Sequence, residues 1–213
     1  ILAVAVEAPV KQDNGGVLFY DTRVKEGGSP ITTVSVGALP DHLTFSPDGL
    51  KLVVANEGEP SDDYTIDPKG SISIIDVSKI NQIRNDSSSS LTLPVTTLDF
   101  TAYDSKKAEL IAKGVRIFGK NASVSQDLEP EYVAVSADST KAFVTLQENN
   151  ALAFVDLVTS SITDIKPLGY KDYNALGLAF DSNDKDKSYN PYPWPVLGMY
   201  QPDSIVSFTI DSA

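Results

Sequence analysis

Pro40-Asp41-His42-Leu43-Thr44-Phe45-Ser46-Pro47-Asp48 and Pro130-Glu131-Tyr132-Val133-Ala134-Val135-Ser136-Ala137-Asp138 are one pattern written twice. The shared order is Pro, acid, any residue, aliphatic, small, apolar, Ser, any residue, Asp, at an offset of 90. The likeness continues beyond it. Lys51-Leu52-Val53-Val54-Ala55 lies over Lys141-Ala142-Phe143-Val144-Thr145 at the same offset. Ser71 to Val77 lies over Ala151 to Leu157 at an offset of 80, and the lost ten residues are the extra length of the loop between. Val17-Leu18-Phe19-Tyr20-Asp21 is a third copy of that last run, and Pro202-Asp203 has the form of another opening.

Each matched run is short, apolar and rich in β-branched residues, which is strand character. Ser46-Pro47-Asp48-Gly49 is a tight turn, because Pro presets φ and Gly tolerates positive φ. Units of four short antiparallel strands are propeller blades of roughly 40–50 residues, and each must stack on neighbours to bury both faces. The expected fold is therefore all-β: a β-propeller of YVTN/WD40-like blades, with repeat units near 37–77 and 127–157. Residues 1–213 read as one partial propeller domain of about four blades. A β-sandwich is the alternative, and the recurring Ser-x-Asp turn favours blades. Ser105 to Lys113 is the one helix expected, with Ala108, Leu110, Ile111 and Ala112 on one side, Ser105 as N-cap and Gly114 as its stop. The run 85–90 is polar, low in complexity and expected to be mobile. The opening Ile1 to Val6 is too short for a signal peptide or a membrane span. It and the strand-like 204–211 read as the ends of a fragment.

Composition narrows the chemistry. A hydrophobic content of 41% supports a packed core. A net charge of −12 repels phosphate backbones and argues against nucleic acid as a partner. There is no cysteine, hence no disulfide or thiolate site. His42 is the single histidine, so sites needing several imidazoles are excluded within this chain.

The stretch Asn56 to Pro68 carries five carboxylates and no Lys or Arg, between strand-like Leu52 to Ala55 and Ser71 to Asp76. Ca²⁺ takes six to eight oxygens at about 2.3–2.6 Å. Clustered carboxylates repel one another, so a cation relieves them. The spacing is not that of an EF-hand, and a merely solvated acidic loop is the alternative. Asp127, Glu129 and Glu131 form a second acidic group, with Gln147, Glu148 and Asn149 further on; Glu131 aligns with Asp41 at a strand start. In a propeller these connections converge on one face, around a central pocket. The metal candidates are Glu57, Glu59, Asp62, Asp63, Asp67, Asp127, Glu129 and Glu148, with Ca²⁺ as the ion. Arg116 and Gln147 are candidates for ligand contact, Arg116 either clamping a phosphate or carboxylate or pairing with Glu129. His42 is either a base, a lone ligand or a hydrogen-bonding strand residue, and Tyr132 at the same repeat position favours packing. Trp194, among prolines, either stacks on a sugar or partner or plugs a seam between blades. Asn85 and Asn121 head Asn-x-Ser triplets, the acceptor pattern for glycosylation on a secretory route.

Longer motifs carry a family resemblance. Val53 to Tyr64 followed by Gly70 to Asp76, Gly114 to Gly119, Gln126 to Tyr132, Thr145 to Ala151, and Trp194 to Asp203 resemble the choice-of-anchor I proteins. These include the mesenchyme-specific cell-surface glycoproteins. The likeness runs almost end to end. It implies an exported or surface-anchored propeller whose family domain is roughly twice this length. Its bacterial members include proteins labelled alkaline phosphatases, and its animal members are linked to calcium mineral; neither label marks catalytic residues here. Three functions follow as expectations. The first is an extracellular calcium-binding contact module in a surface or matrix assembly. Its partners would be other chains or the remainder of the propeller, and its ligands a mineral, glycan or phosphate. The second is a calcium-dependent phosphoesterase. The third is a purely structural subunit. No transmembrane segment is expected.

Overall fold

The Ser-x-Asp turn folds the same way in both copies, atom for atom. Ser46 Oγ donates to Asp48 Oδ1 at 2.6 Å and accepts from Lys51 N at 2.9 Å. Ser136 Oγ donates to Asp138 Oδ1 at 2.6 Å and accepts from Lys141 N at 3.0 Å. The left-handed position falls on Gly49 in one copy and on Ser139 in the other, at φ 70° and 59°. Each turn delivers the chain into the next antiparallel strand.

In a computed structural model of the chain, which describes residues 1–24, 27–86 and 92–210, these turns belong to two four-stranded sheets. One holds β4 (Pro40–Phe45), β5 (Lys51–Asn56), β6 (Ser71–Asp76) and β7 (Val95–Asp99), in sequence order across the sheet. The other holds β8 (Pro130–Val135), β9 (Lys141–Leu146), β10 (Ala151–Asp156) and β11 (Ser161–Pro167) in the same order. A three-stranded sheet precedes them: β1 (Leu2–Val6), β2 (Asn14–Tyr20) and β3 (Thr32–Ala38). Two short strands, β12 (Tyr170–Asp172) and β13 (Leu197–Met199), pair in the last third. All paired strands are antiparallel. Among the described residues no sheet closes on itself, and the chain is an incomplete set of propeller blades.

Register identifies the blade positions. Asp76 faces Lys51, and Asp156 faces Lys141. In the first sheet Leu2 faces Tyr20, so β1, β2 and β3 correspond to the second, third and fourth strands of the complete blades. Both inner strands break register at the same place, between Pro40 and Leu43 and between Pro130 and Val133. An irregularity of this kind re-aims the side chains it contains; here these are Asp41 and His42, and Glu131 and Tyr132.

The core lies between blades. Successive side chains of a strand point to opposite faces. Leu52 and Val54 therefore join Val17, Phe19 and Val36 of the first sheet, while Val53 and Ala55 join Val133, Val144 and Leu146 of the third. Full burial of one such side chain stabilises by about 1.5–3 kcal/mol. Two hydrogen-bonding contacts tie inner strand to inner strand and turn to turn. Val133 N donates to His42 Nδ1 at 3.2 Å, with the His42 ring stacked on Tyr132 at 3.5 Å. Asp48 N donates to Ser139 Oγ at 3.0 Å. Burial pushes His42 down from the usual histidine range, which suits a neutral ring accepting at Nδ1. This residue is a seam between blades.

Several expectations are corrected. The helix near 105–113 is α2 (Lys107–Lys113), preceded by a 3-10 helix, Thr101–Lys106. Ser105 is not its cap; Lys106 occupies that position without a side-chain bond, while Gly114 does end the helix, at φ 104°. Only Leu110 of the helix is buried, and Ile111 is exposed. Two further short helices, α1 (Ile80–Asn85) and α3 (Val124–Asp127), were not foreseen. α3 carries a capping box between Ser123 and Gln126, a signal present in the sequence. Residues 204–210 form no ladder among the described residues, although they were expected to be a strand. The serines at 87–90 lie outside the described residues.

Candidate functional site

The connections leaving the second blade position of each sheet, held by β1, β5 and β9, all emerge on one rim: residues 7–13, 57–70 and 147–150. The inner strands β4 and β8 begin on this same rim. The long acidic loop is pinned at both ends of its neck. Glu57 N donates to Leu39 O at 2.9 Å, and Gly58 N to Ala38 O at 3.2 Å. Gly70 N donates to Ser125 O at 3.1 Å, and Gln126 Nε2 to Asp67 O at 3.1 Å. Gly70 has no room for a side chain: a Cβ there would sit 1.9 Å from Leu128 O.

The pinned neck places Glu57 against the two inner-strand acids. Carboxylate oxygens of Asp41, Glu57 and Glu131 lie within 4.8 Å of one another. Burial pushes Glu57 up to about 8, helped by the charges of Glu131, Glu59 and Asp41. Burial pushes Glu131 up to about 7, with Asp41, Glu148 and Asp203 adding to it. Glu129 rises to about 8 through burial, then through Glu148 and Glu59. The acids of two blades thus face one another across the seam. The oxygen spacing suits a hard cation, since oxygens on opposite sides of an ion at about 2.4 Å are about 4.8 Å apart.

The predicted residues fall into three sets. Glu57 joins the cluster, and Glu59, Glu129 and Glu148 contribute to its field. Glu59 also meets Lys11 from the first sheet, which forms an ion pair with it, while Gln12 Nε2 donates to Glu59 O at 3.4 Å. Asp62 and Asp63 lie on the exposed tip. There Asp63 Oδ1 accepts from Ser61 Oγ, Thr65 N and Thr65 Oγ1, which lowers its pKa. Asp127 is buried and already bonded: its carboxylate accepts from Phe118 N, Gly119 N and Asn149 Nδ2. Burial still raises it, and Asp127 in turn adds to the burial-driven rise of Asp67, whose Oδ1 is buried without a hydrogen-bond partner.

Arg116 forms no pair with Glu129. Its Nη1 donates to Glu148 O at 3.0 Å and its guanidinium lies 3.6 Å over the Phe118 ring. Gln147 O accepts from Asn150 N at 3.0 Å in the tight turn that carries Glu148. The two asparagines of that turn brace the connections on either side. Asn149 bonds Arg116 O, Asp127 O and Glu129 N. Asn150 bonds Gly169 O, Tyr200 N and Gln201 N, which sets Pro202-Asp203 beside the cluster. Trp194 is partly exposed and packs edge-on against Tyr192. Asn121 is exposed in a left-handed conformation, and the Ser123 hydroxyl of its triplet caps α3. Asn85 ends α1, and the serine of its triplet, at 87, lies outside the described residues.

Asp41, Glu131 and Lys11 were missed as site residues. For the two acids the signal was available, because the repeat sets them at the same inner-strand position and inner strands start near the axis. Nothing in the sequence pairs Lys11 with Glu59, 48 residues away.

A sequence profile described as the choice-of-anchor I domain matches residues 1–213. No curated protein matches the chain. Solved structures similar to the chain include the following three. The Cps50 (Swd1) β-propeller domain of Myceliophteria thermophila has 13% identity and TM-score 0.45 over 73% of this chain and 37% of its own. Hydrazine synthase of Kuenenia stuttgartiensis has 12% identity and TM-score 0.48 over 78% and 46%. A protein titled a 6-phosphogluconolactonase, from Bacteroides fragilis, has 14% identity and TM-score 0.37 over 72% and 32%. The chain spans less than half the length of each. Blade order and register within the chain, rather than these likenesses, carry the fold.

Proposed function

The chain belongs to the choice-of-anchor I family, whose domains are associated with cell-surface anchoring, and from that premise we propose an extracellular contact module that holds a calcium-class cation. No helix among the described residues is long and apolar enough to cross a membrane. The observation that supports the reading is the convergence of Asp41, Glu57 and Glu131 from two blades, within 4.8 Å. Left without a cation, Glu57 and Glu131 relieve their repulsion by keeping protons near neutral pH. A divalent ion bridging both inner strands would displace those protons and lock one blade to the next. Glu59, Glu129 and Glu148 would supply the surrounding negative field.

The phosphoesterase reading draws nothing from Arg116, whose guanidinium is taken up by the Glu148 carbonyl and the Phe118 ring. Contact with a matrix, mineral or glycan would run through the same acidic rim, with Asn85 and Asn121 as acceptor sites for glycans on a secretory route.

Calorimetric titration with Ca²⁺, paired with thermal melting, tests the cation. Heat and a raised melting temperature are expected for the native chain. Both should vanish in the double variant Glu57→Gln, Glu131→Gln. No heat and no shift at millimolar Ca²⁺ would overturn the reading.

A further inference from the structure

A narrow slot lies between the acidic loop and the segment 118–129 that leads into β8, apart from the cluster of Asp41, Glu57 and Glu131. Asp67, Asp127 and Glu129 line one part of it, and Pro60, Tyr64 and Phe118 another. Its volume is about 10 Å³, the room of one water-sized sphere. The segments that build it are held in place. Gln126 Nε2 donates to Asp67 O, and the Asp127 carboxylate accepts from Phe118 N and Gly119 N.

Two acceptors in the slot have nothing to accept from. Asp67 Oδ1 is buried without a hydrogen-bond partner. Glu129 is only 9% exposed; its N–H donates to Asn149 Oδ1, but its carboxylate meets no donor among the described residues. Burial pushes both groups up, and the charge of Asp127 is among the further causes for each. The lining of the slot holds no Lys or Arg. Lys107 and Arg116, the cations that act on Asp127, are engaged elsewhere: Lys107 Nζ donates to Ala122 O at 2.6 Å and Arg116 Nη1 to Glu148 O at 3.0 Å. Buried acceptors left in this state call for a donor.

We propose that this slot takes the ammonium of a lysine side chain presented by a partner protein. An ammonium brings three donors and a full positive charge on a compact head. Water can donate to the same acceptors but leaves their charge uncompensated. Ca²⁺ would need about six to eight oxygens, whereas Pro60 and the rings of Tyr64 and Phe118 offer mostly carbon. Those carbon walls suit the alkyl stem behind an ammonium. Tyr64 and Phe118 are 45% and 43% exposed, so a stem can enter along them from solvent. The planar guanidinium of arginine is too broad for a space of this size. A net charge of −12 draws basic partners toward the chain. The proposal rests on the contact-module reading, whose partner chemistry it names, and not on the cation at Asp41, Glu57 and Glu131.

The test is an NMR titration of the 213-residue chain with n-butylammonium at about pH 8.5, where a primary amine is still charged. Saturable shifts are expected at the backbone amides of Gly119 and Glu129. Butanol, which lacks the charge, and butylguanidinium, which has the broader head, should bind at least about tenfold more weakly. Asp67→Asn and Glu129→Gln keep side-chain volume, and each should weaken the amine by a similar factor while the dispersed spectrum of the fold persists. The double variant Glu57→Gln, Glu131→Gln should still bind the amine, so failure of the calcium reading and failure of this one are separate results. A tripeptide with blocked ends and a central lysine should compete with butylammonium, and its Nε-acetylated form should not. Absence of saturable shifts at those amides, equal binding of butanol, indifference to both Asp67→Asn and Glu129→Gln, or a lysine peptide that fails to compete would overturn the proposal.

Discussion

The two rims of the blades both carry carboxylates, with opposite fates. On the rim where the inner strands begin, Glu57, Glu129 and Glu131 are pushed up to about 7–8 by burial and by one another. On the other rim Asp48, Asp76, Asp138 and Asp156 are all pushed down, by hydroxyl and backbone N–H groups of their own turns. The lower aspartates are satisfied within a few residues of chain. The upper glutamates are brought together from distant segments and meet mostly other acids. A turn carboxylate supports its own turn, whereas a converged one costs stability until something positive arrives.

The largest expected contrast is steric. Gly70→Ala, on the upper rim, places a Cβ against Leu128 O and should destabilise by about 3 kcal/mol or more. Gly49→Ala, on the lower rim, meets no atom within 4 Å and carries only the strain of positive φ, about 1 kcal/mol. Urea unfolding measures both, and equal losses would break the contrast.

The next contrast is in pH dependence. The upper glutamates have folded pKa values above the ordinary 4.5, so the folded state binds protons more tightly than the unfolded chain. Their contribution is fully present below 4.5 and is lost as pH rises through about 7–8. In chelator, the melting temperature should fall across that window, and Glu131→Gln should flatten the fall. A melting temperature that rises with pH there would contradict the assignment.

Asp138 behaves in the reverse sense. Its folded pKa of about 2 lies below the ordinary 3.8, so its contribution is present above 3.8 and is lost as pH falls through about 2. Asp138→Asn should lower stability at neutral pH and flatten the fall of the stability curve between about 3.8 and 2, as followed by circular dichroism. The smallest effect is expected at the exposed loop tip: Asp62→Ala should alter stability by no more than about 0.5 kcal/mol in the same urea assay.

Blade architecture was legible because a local pattern recurs. Pro-acid-x-aliphatic, the Ser-x-Asp turn and the apolar third strand each report short-range physics that repeats with the unit. The acidic loop was legible as a concentration of charge, and Glu57 does reach the cluster. Its other members depend on contacts between blades. Asp63 looks like Glu57 in sequence, yet Ser61 and Thr65 take up its carboxylate. Asp127 is bonded by amides from 118 and 119, which no spacing rule announces. Lys11 meets Glu59 only because two loops of adjacent blades leave on the same rim. The missed helix α1 is a matter of length: six residues carry too little periodicity to be distinguished from loop.

Asn149 and Asn150 are neighbours on one tight turn, yet one grips the chain entering β8 and the other the chain leaving the third sheet. Both segments that flank the third sheet therefore share one point of attachment, and the spacing between them is set by two adjacent side chains of a four-residue turn.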